Sequence, residues 1–408
     1  MLHIDTFVRQ LTAEEFSFAE KQLSSGKAHK FLQLLHFYRS GALNEGKLMQ
    51  TLGLNQNAFY VLKSRRFQKL QGLLIEFMSQ VPKGRPNQSL LIPQVVFEMP
   101  RAKAMAILTK LERDYLEMDL PRELISIYST LRRLHQHTDK YYHYDQLYNK
   151  HVAYSLALDK AEELLARLVA ELAGYMASRD PQFLTSIPLL KEELNNHHRL
   201  YQSHHLQVFK NLAEINVALN IPEKGFSKDD QPVEDNLREI EDIIVKYPKD
   251  LQYSYLQKVI PLLWFEYYSQ LGLHKKADQY LSDVAALKND LWGYRSFAFV
   301  SNTLLTELKH RQTKGDADQL AAENTLVPWD EPDLFDLPNY CNWIKYMVVC
   351  EWLAGNVSRA TQLCHKLLNS VSLKNHPHFE LEVRLLLAMC YIHDSRFELA
   401  WNLLRAIS

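Results

Sequence analysis

The chain has 408 residues, with 47 Lys and Arg against 48 Asp and Glu, and this net charge of −1 argues against wholesale nucleic-acid or membrane binding. Only 12 glycines and 15 prolines interrupt a composition rich in Leu, Ala, Glu, Lys, Gln and Tyr, which is a helical composition. No alternating run of Val, Ile and Thr is long enough for a sheet, no G-x-G-x-x-G or P-loop spacing is present, and no apolar run is long enough for a transmembrane helix.

The opening Met1-Leu2-His3-Ile4-Asp5 has neither the basic nor the apolar region of a signal peptide. The four cysteines, Cys341, Cys350, Cys364 and Cys390, fit no zinc spacing and read as small core side chains of a cytoplasmic protein. Thr12-Ala13-Glu14-Glu15 is a capping box that opens a helix through about Ser24. Further helices are expected over 28–40, 45–52 and 55–79. Residues 1–85 form a basic helical domain, with twelve Lys and Arg against six Asp and Glu.

Leu48, Leu52-Gly53-Leu54, Ala58, Val61 and Leu62 resemble the turn and second helix of a sigma-factor-type helix-turn-helix. That resemblance implies DNA contact through Lys63, Arg65, Arg66 and Lys69. The alternative is an ordinary helical domain with a solvated basic face. Residues 86–100 read as a linker, because Pro82, Pro86, Pro93 and Pro100 punctuate the stretch from Val81 to Pro100.

Residues 101–222 begin with helices over 102–118 and 121–137. A long helix capped by Asp139 then continues to Ser178, and a return helix runs from about Leu189 to Leu219. The expectation is a long antiparallel hairpin with coiled-coil-like spacing. Histidines crowd this region, but no two of them stand at i, i+4 on one face. Glu193 and His197 make at most half a site, so no metal is expected.

Residues 232–408 carry a recurring spacing. Phe265, Tyr268, Ala277, Leu281 and Val284 are matched step for step by Ala388, Tyr391, Ala400, Leu404 and Ile407. A weaker copy spans Asn342 to Leu368, where Ala360, Cys364 and Leu367 fit but Glu351 replaces the aromatic. Positions three or four apart share a helix face, and the step of nine crosses a turn, so each copy is a helical hairpin. This pattern resembles the tetratricopeptide repeat family, without that family's Trp-Leu-Gly opening or closing Pro. The resemblance implies an all-α protein with a solenoid of stacked hairpins whose surface binds a protein or peptide.

An acidic insertion at 316–338 interrupts the hairpins. It has three prolines, and seven acidic and no basic residues between Asp316 and Asp336. It reads either as a strap fixed by Trp329 and Phe335 over the repeat surface or as a mobile acidic arm. The expected function is a non-catalytic interaction scaffold, with Trp329, Phe335, Tyr268 and Tyr391 as candidate groove or plug residues and no cofactor. The alternative is a DNA-binding transcriptional regulator with a helical-repeat sensor. No nucleophile–base–orienter set argues for an enzyme.

Overall fold

The computed structural model describes residues 4, 8–9, 11–24, 29–40, 45–80, 101–221, 232–248, 250, 253–287, 300–317, 319, 332, 334 and 336–406. Among them every regular element is a helix, so the protein is all-α. No described helix is long and apolar enough to cross a membrane. The chain divides into two compact units, Met1–Leu91 and Ile92–Ser408.

The first unit contains α1 (Ala13–Ser24), α2 (His29–Arg39), α3 (Glu45–Leu52) and α4 (Gln56–Gln80). The capping box forms as the sequence dictates. Thr12 Oγ1 accepts from the Glu15 N–H at 3.2 Å, and Glu15 Oε2 accepts from the Thr12 N–H at 2.8 Å. Phe31, Leu34, Leu35 and Tyr38 of α2 make the centre of the core, with Leu48 and Leu52 of α3 against them.

The second unit begins with α5 (Arg101–Glu117), α6 (Pro121–Leu134) and α7 (Lys140–Ser178). The 39-residue α7 is about 58 Å long at 1.5 Å per residue. Asp139, expected as its cap, makes no side-chain capping bond because it already has helical dihedrals. The return segment is not one helix. It is α8 (Ile187–Tyr201) and α9 (His204–Asn220), broken where Gln202 turns left-handed at φ 48°. Ser203 drives the break, because its hydroxyl accepts from the N–H groups of His205 and Leu206 and so starts a new helix. Leu164, Leu168 and Leu172 of α7 pack on Leu190 and Leu194 of α8 and Leu206 of α9.

Then come α10 (Val233–Lys246), α11 (Tyr253–Gln270), α12 (His274–Leu287), α13 (Val300–Lys314), α14 (Leu337–Leu353), α15 (Val357–Ser370), α16 (Pro377–His393) and α17 (Phe397–Arg405). Ala277, Ala360, Ala388 and Ala400 are all buried, as close helix crossings require. Helix α7 also packs on α14 and α16, and Ala177 near its end lies in the core of the last hairpins. In a strict solenoid each repeat touches only its neighbours. Here α7 ties the start of this unit to its last helices.

One turn recurs through both units. After α11, the Leu273 N–H donates to the Tyr268 carbonyl at 2.9 Å and the Gly272 N–H to Ser269 at 3.1 Å. After α14 the same two bonds run from Asn356 to Glu351 and from Gly355 to Trp352, and after α16 from Arg396 to Tyr391 and from Ser395 to Ile392. The pair recurs after α3 (Leu54 to Met49, Gly53 to Gln50), after α5 (Leu120 to Tyr115, Asp119 to Leu116) and after α13 (Asp316 to Arg311, Gly315 to Gln312). This is the Schellman closure, whose fifth residue must be left-handed. Gly53, Gly272, Gly315 and Gly355 fill that place at no steric cost, while Asp119 (φ 54°) and Ser395 (φ 59°) fill it under mild strain. The departure at Glu351 also has a cause. Its buried carboxylate accepts from Asn356 Nδ2 at 3.0 Å and pairs with Arg359 Nε at 3.0 Å.

Candidate functional site

Both helices of the last hairpin carry exposed large apolar side chains. On α16, Leu385, Met389 and Ile392 stand at i, i+4 and i+7 and are exposed. On α17, Phe397 and Trp401 stand one turn apart and are exposed by 62% and 67%. Isolated exposed leucines need no explanation, whereas large apolar side chains repeated along one helix face are the feature of this hairpin that packing within the chain does not account for. A cavity of about 480 Å³ lies elsewhere in the unit, and a groove of about 640 Å³ opens between α15, α16 and α17. His365, Leu373, Leu387, Tyr391, Leu399 and Leu403 line that groove. Tyr391 is half-buried there, with its hydroxyl 3.0 Å from His365 Nε2.

Of the other residues singled out from sequence, Tyr268 lies in the core. It is 5% exposed and stacks on Trp264 and Tyr280, so a partner reaches it only by opening that stack. Trp329 and Phe335 lie outside the described residues. Lys63 is engaged within its own unit. Its ammonium pairs with Glu45 Oε1 at 2.7 Å and faces the rings of Tyr38, Phe59 and Tyr60. Arg65 and Lys69 are exposed on α4, and the side chain of Arg66 lies outside the described residues. The four cysteines are buried free thiols, and burial pushes the Cys341 thiol up to about 12.

The 480 Å³ cavity is lined by Arg179, Asn220, Glu266, Gln270, Asn302 and Lys309, among others. Glu266 is its unusual member. Burial raises its carboxyl to about 7, against which a hydrogen bond from Thr303 Oγ1 at 3.2 Å acts weakly.

A polar cluster sits where the α5–α6 turn meets the start of α9. Asp119 Oδ2 accepts from the Tyr154 hydroxyl at 2.5 Å and from Ser203 Oγ at 2.6 Å. His204 Nδ1 and the Tyr253 hydroxyl share a hydrogen bond at 2.5 Å, and the imidazole stacks on Tyr247 at 3.8 Å. His205 Nε2 is 2.7 Å from Asp250 Oδ2. Burial, together with the neighbouring His205, lowers His204 to about 4. Burial and Asp119 push the Tyr154 hydroxyl up, so it stays a donor to that carboxylate. The sequence signal for this cluster was Ser203-His204-His205, a helix start with two adjacent imidazoles. A search for histidine pairs along one helix face passes over it, because Asp119 and Asp250 come from distant turns.

The chain matches no protein-family model, no curated protein and no solved structure.

Proposed function

We propose that this protein is a non-catalytic interaction scaffold that holds a helix or extended peptide of a protein partner on its C-terminal hairpins. The observation that carries the reading is the pair of exposed apolar stripes, Leu385/Met389/Ile392 and Phe397/Trp401. An amphipathic partner helix presents its own i, i+3, i+4 and i+7 anchors to such a surface, and the groove beside Tyr391 has the volume to take a large side chain. The recurring turn and the small-residue crossings support a tetratricopeptide-like hairpin array, to which α7 adds a long spine returned by α8 and α9.

A photo-crosslinking residue in place of Trp401 tests the proposal in the native cell, with the same residue in place of the exposed Tyr142 on α7 as the control. The expected result is one recurrent crosslinked protein from position 401, lost when Met389→Asp and Ile392→Asp are added, and absent from position 142. The same set of proteins from both positions refutes a specific docking face.

A further inference from the structure

We propose that Asp119, His204 and His205 form a binding site for a divalent transition-metal ion of the zinc class. Ligand atoms of the three residues lie within 4.8 Å of one another. The His204 side chain retains 9% exposure, and its Nε2 has no hydrogen-bond partner among the described residues. That nitrogen stands 3.9 Å from Asp119 Oδ2, beyond a hydrogen bond but within the span that one bridging ion covers. A buried imidazole nitrogen left in this position is costly to the fold, and a metal ion is a partner that satisfies it.

The surrounding groups are arranged as outer-shell supports of a metal centre. The Tyr253 hydroxyl engages His204 Nδ1, and in the tautomer where Nδ1 donates to it, Nε2 keeps its lone pair. Asp250 holds His205 as the carboxylate of a carboxylate–histidine–metal relay does. Tyr154 and Ser203 both donate to Asp119 Oδ2 and fix its carboxylate. Two imidazoles and a carboxylate select borderline ions such as Zn²⁺ over Mg²⁺ or Ca²⁺, which prefer all-oxygen sites. The carboxylates of Asp119 and Asp250 also balance a dication. In zinc coordination, ligand atoms stand about 3.4 Å apart, so closing the set around the ion takes side-chain adjustments of about 1 Å. In the other turns of this type the left-handed residue is Gly or Ser. Here it is Asp119, the one that brings a carboxylate to the start of α9.

The reading does not depend on the docking proposal, and its test uses the full chain stripped of metal by a chelator. Titration with Co²⁺ is expected to give the visible absorption of a tetrahedral-type nitrogen–oxygen site at one equivalent per chain. Zn²⁺ should displace the Co²⁺ and raise the Tm. Asp119→Asn and His204→Phe should each weaken Co²⁺ binding by about 100-fold, and Tyr253→Phe by about 10- to 100-fold. Tyr253→Phe keeps the packing, so it decides the matter if circular dichroism shows that His204→Phe has lost helix. Affinity unchanged in the variants that fold, no binding at micromolar Co²⁺, or thiolate charge-transfer bands pointing to the cysteines overturns the proposal.

Discussion

Glu266 gives a pH dependence whose sign and size come from its burial. Its carboxyl is raised from 4.5 to about 7 in the folded chain. The folded state therefore holds a proton that the unfolded state releases between those values. Its stabilising share is fully present below about pH 4.5 and is lost as pH rises through about 7. A shift of that size corresponds to about 3 kcal/mol, at 1.36 kcal/mol per pKa unit. Glu266→Gln keeps the shape and a carbonyl to accept from Thr303 but cannot ionise. The variant should match the parent within about 1 kcal/mol at pH 4.5 and exceed it by about 3 kcal/mol at pH 9. Urea unfolding followed by tryptophan fluorescence suits the measurement, because all six tryptophans lie in the Ile92–Ser408 unit. Taking the difference between variant and parent at each pH cancels the other titrations. A difference that stays flat from pH 4.5 to 9 refutes the reasoning.

Ala277→Leu and Ala400→Leu should each overpack a crossing and cost roughly 1–3 kcal/mol, and an unchanged Tm for both would mean the hairpin register is wrong. Gly174→Ala gains about 1 kcal/mol of helix propensity in α7, but its new methyl group would overlap the Phe183 ring. It should therefore destabilise the parent yet stabilise a Phe183→Ala background, and the same sign in both backgrounds counts against that contact. Lys63→Ala should lower the stability of the N-terminal unit by about 1 kcal/mol while Arg65→Ala leaves it within about 0.5 kcal/mol, as circular dichroism melts of the two variants would show. The scaffold reading also expects no salt-sensitive retention on a duplex DNA library at near-physiological ionic strength. Retention that weakens steeply with salt, and is reduced in the Arg65→Ala Arg66→Ala variant, would favour the DNA-binding reading.

Features closed within a few residues were legible in the sequence. The Thr12–Glu15 box and the Tyr-to-Ala step of nine are local patterns whose physics does not depend on the rest of the chain. The break at Gln202 was hidden because the apolar positions Tyr201 and Val208 keep a step of seven across it. Only the helix-starting serine between them signals the interruption. The turn after α5 lacks the glycine that marks most of the others, so Pro121 signals the helix break but only the tolerance of Asp for this conformation points to Asp119 as left-handed. The Asp119 cluster is assembled from turns far apart in the chain, and no local spacing encodes it. Tyr268 and Tyr391 stand at the same place in their copies, yet one is packed between rings and the other lines an open groove. The side chains around each tyrosine, and not the spacing the two copies share, decide that difference.

The long helix α7 also sets the order in which the molecule can finish folding. Each hairpin turn closes within six residues, so the hairpins are fast local events. The contacts of α7 with α14 and α16 join stretches far apart in the chain and carry a much larger loop-closure cost. During synthesis, the Ala177 end of α7 leaves the ribosome long before the helices that cover it. Between the making of α7 and the arrival of α16, the Ala177 end of α7 therefore lacks the neighbours that bury it in the folded chain.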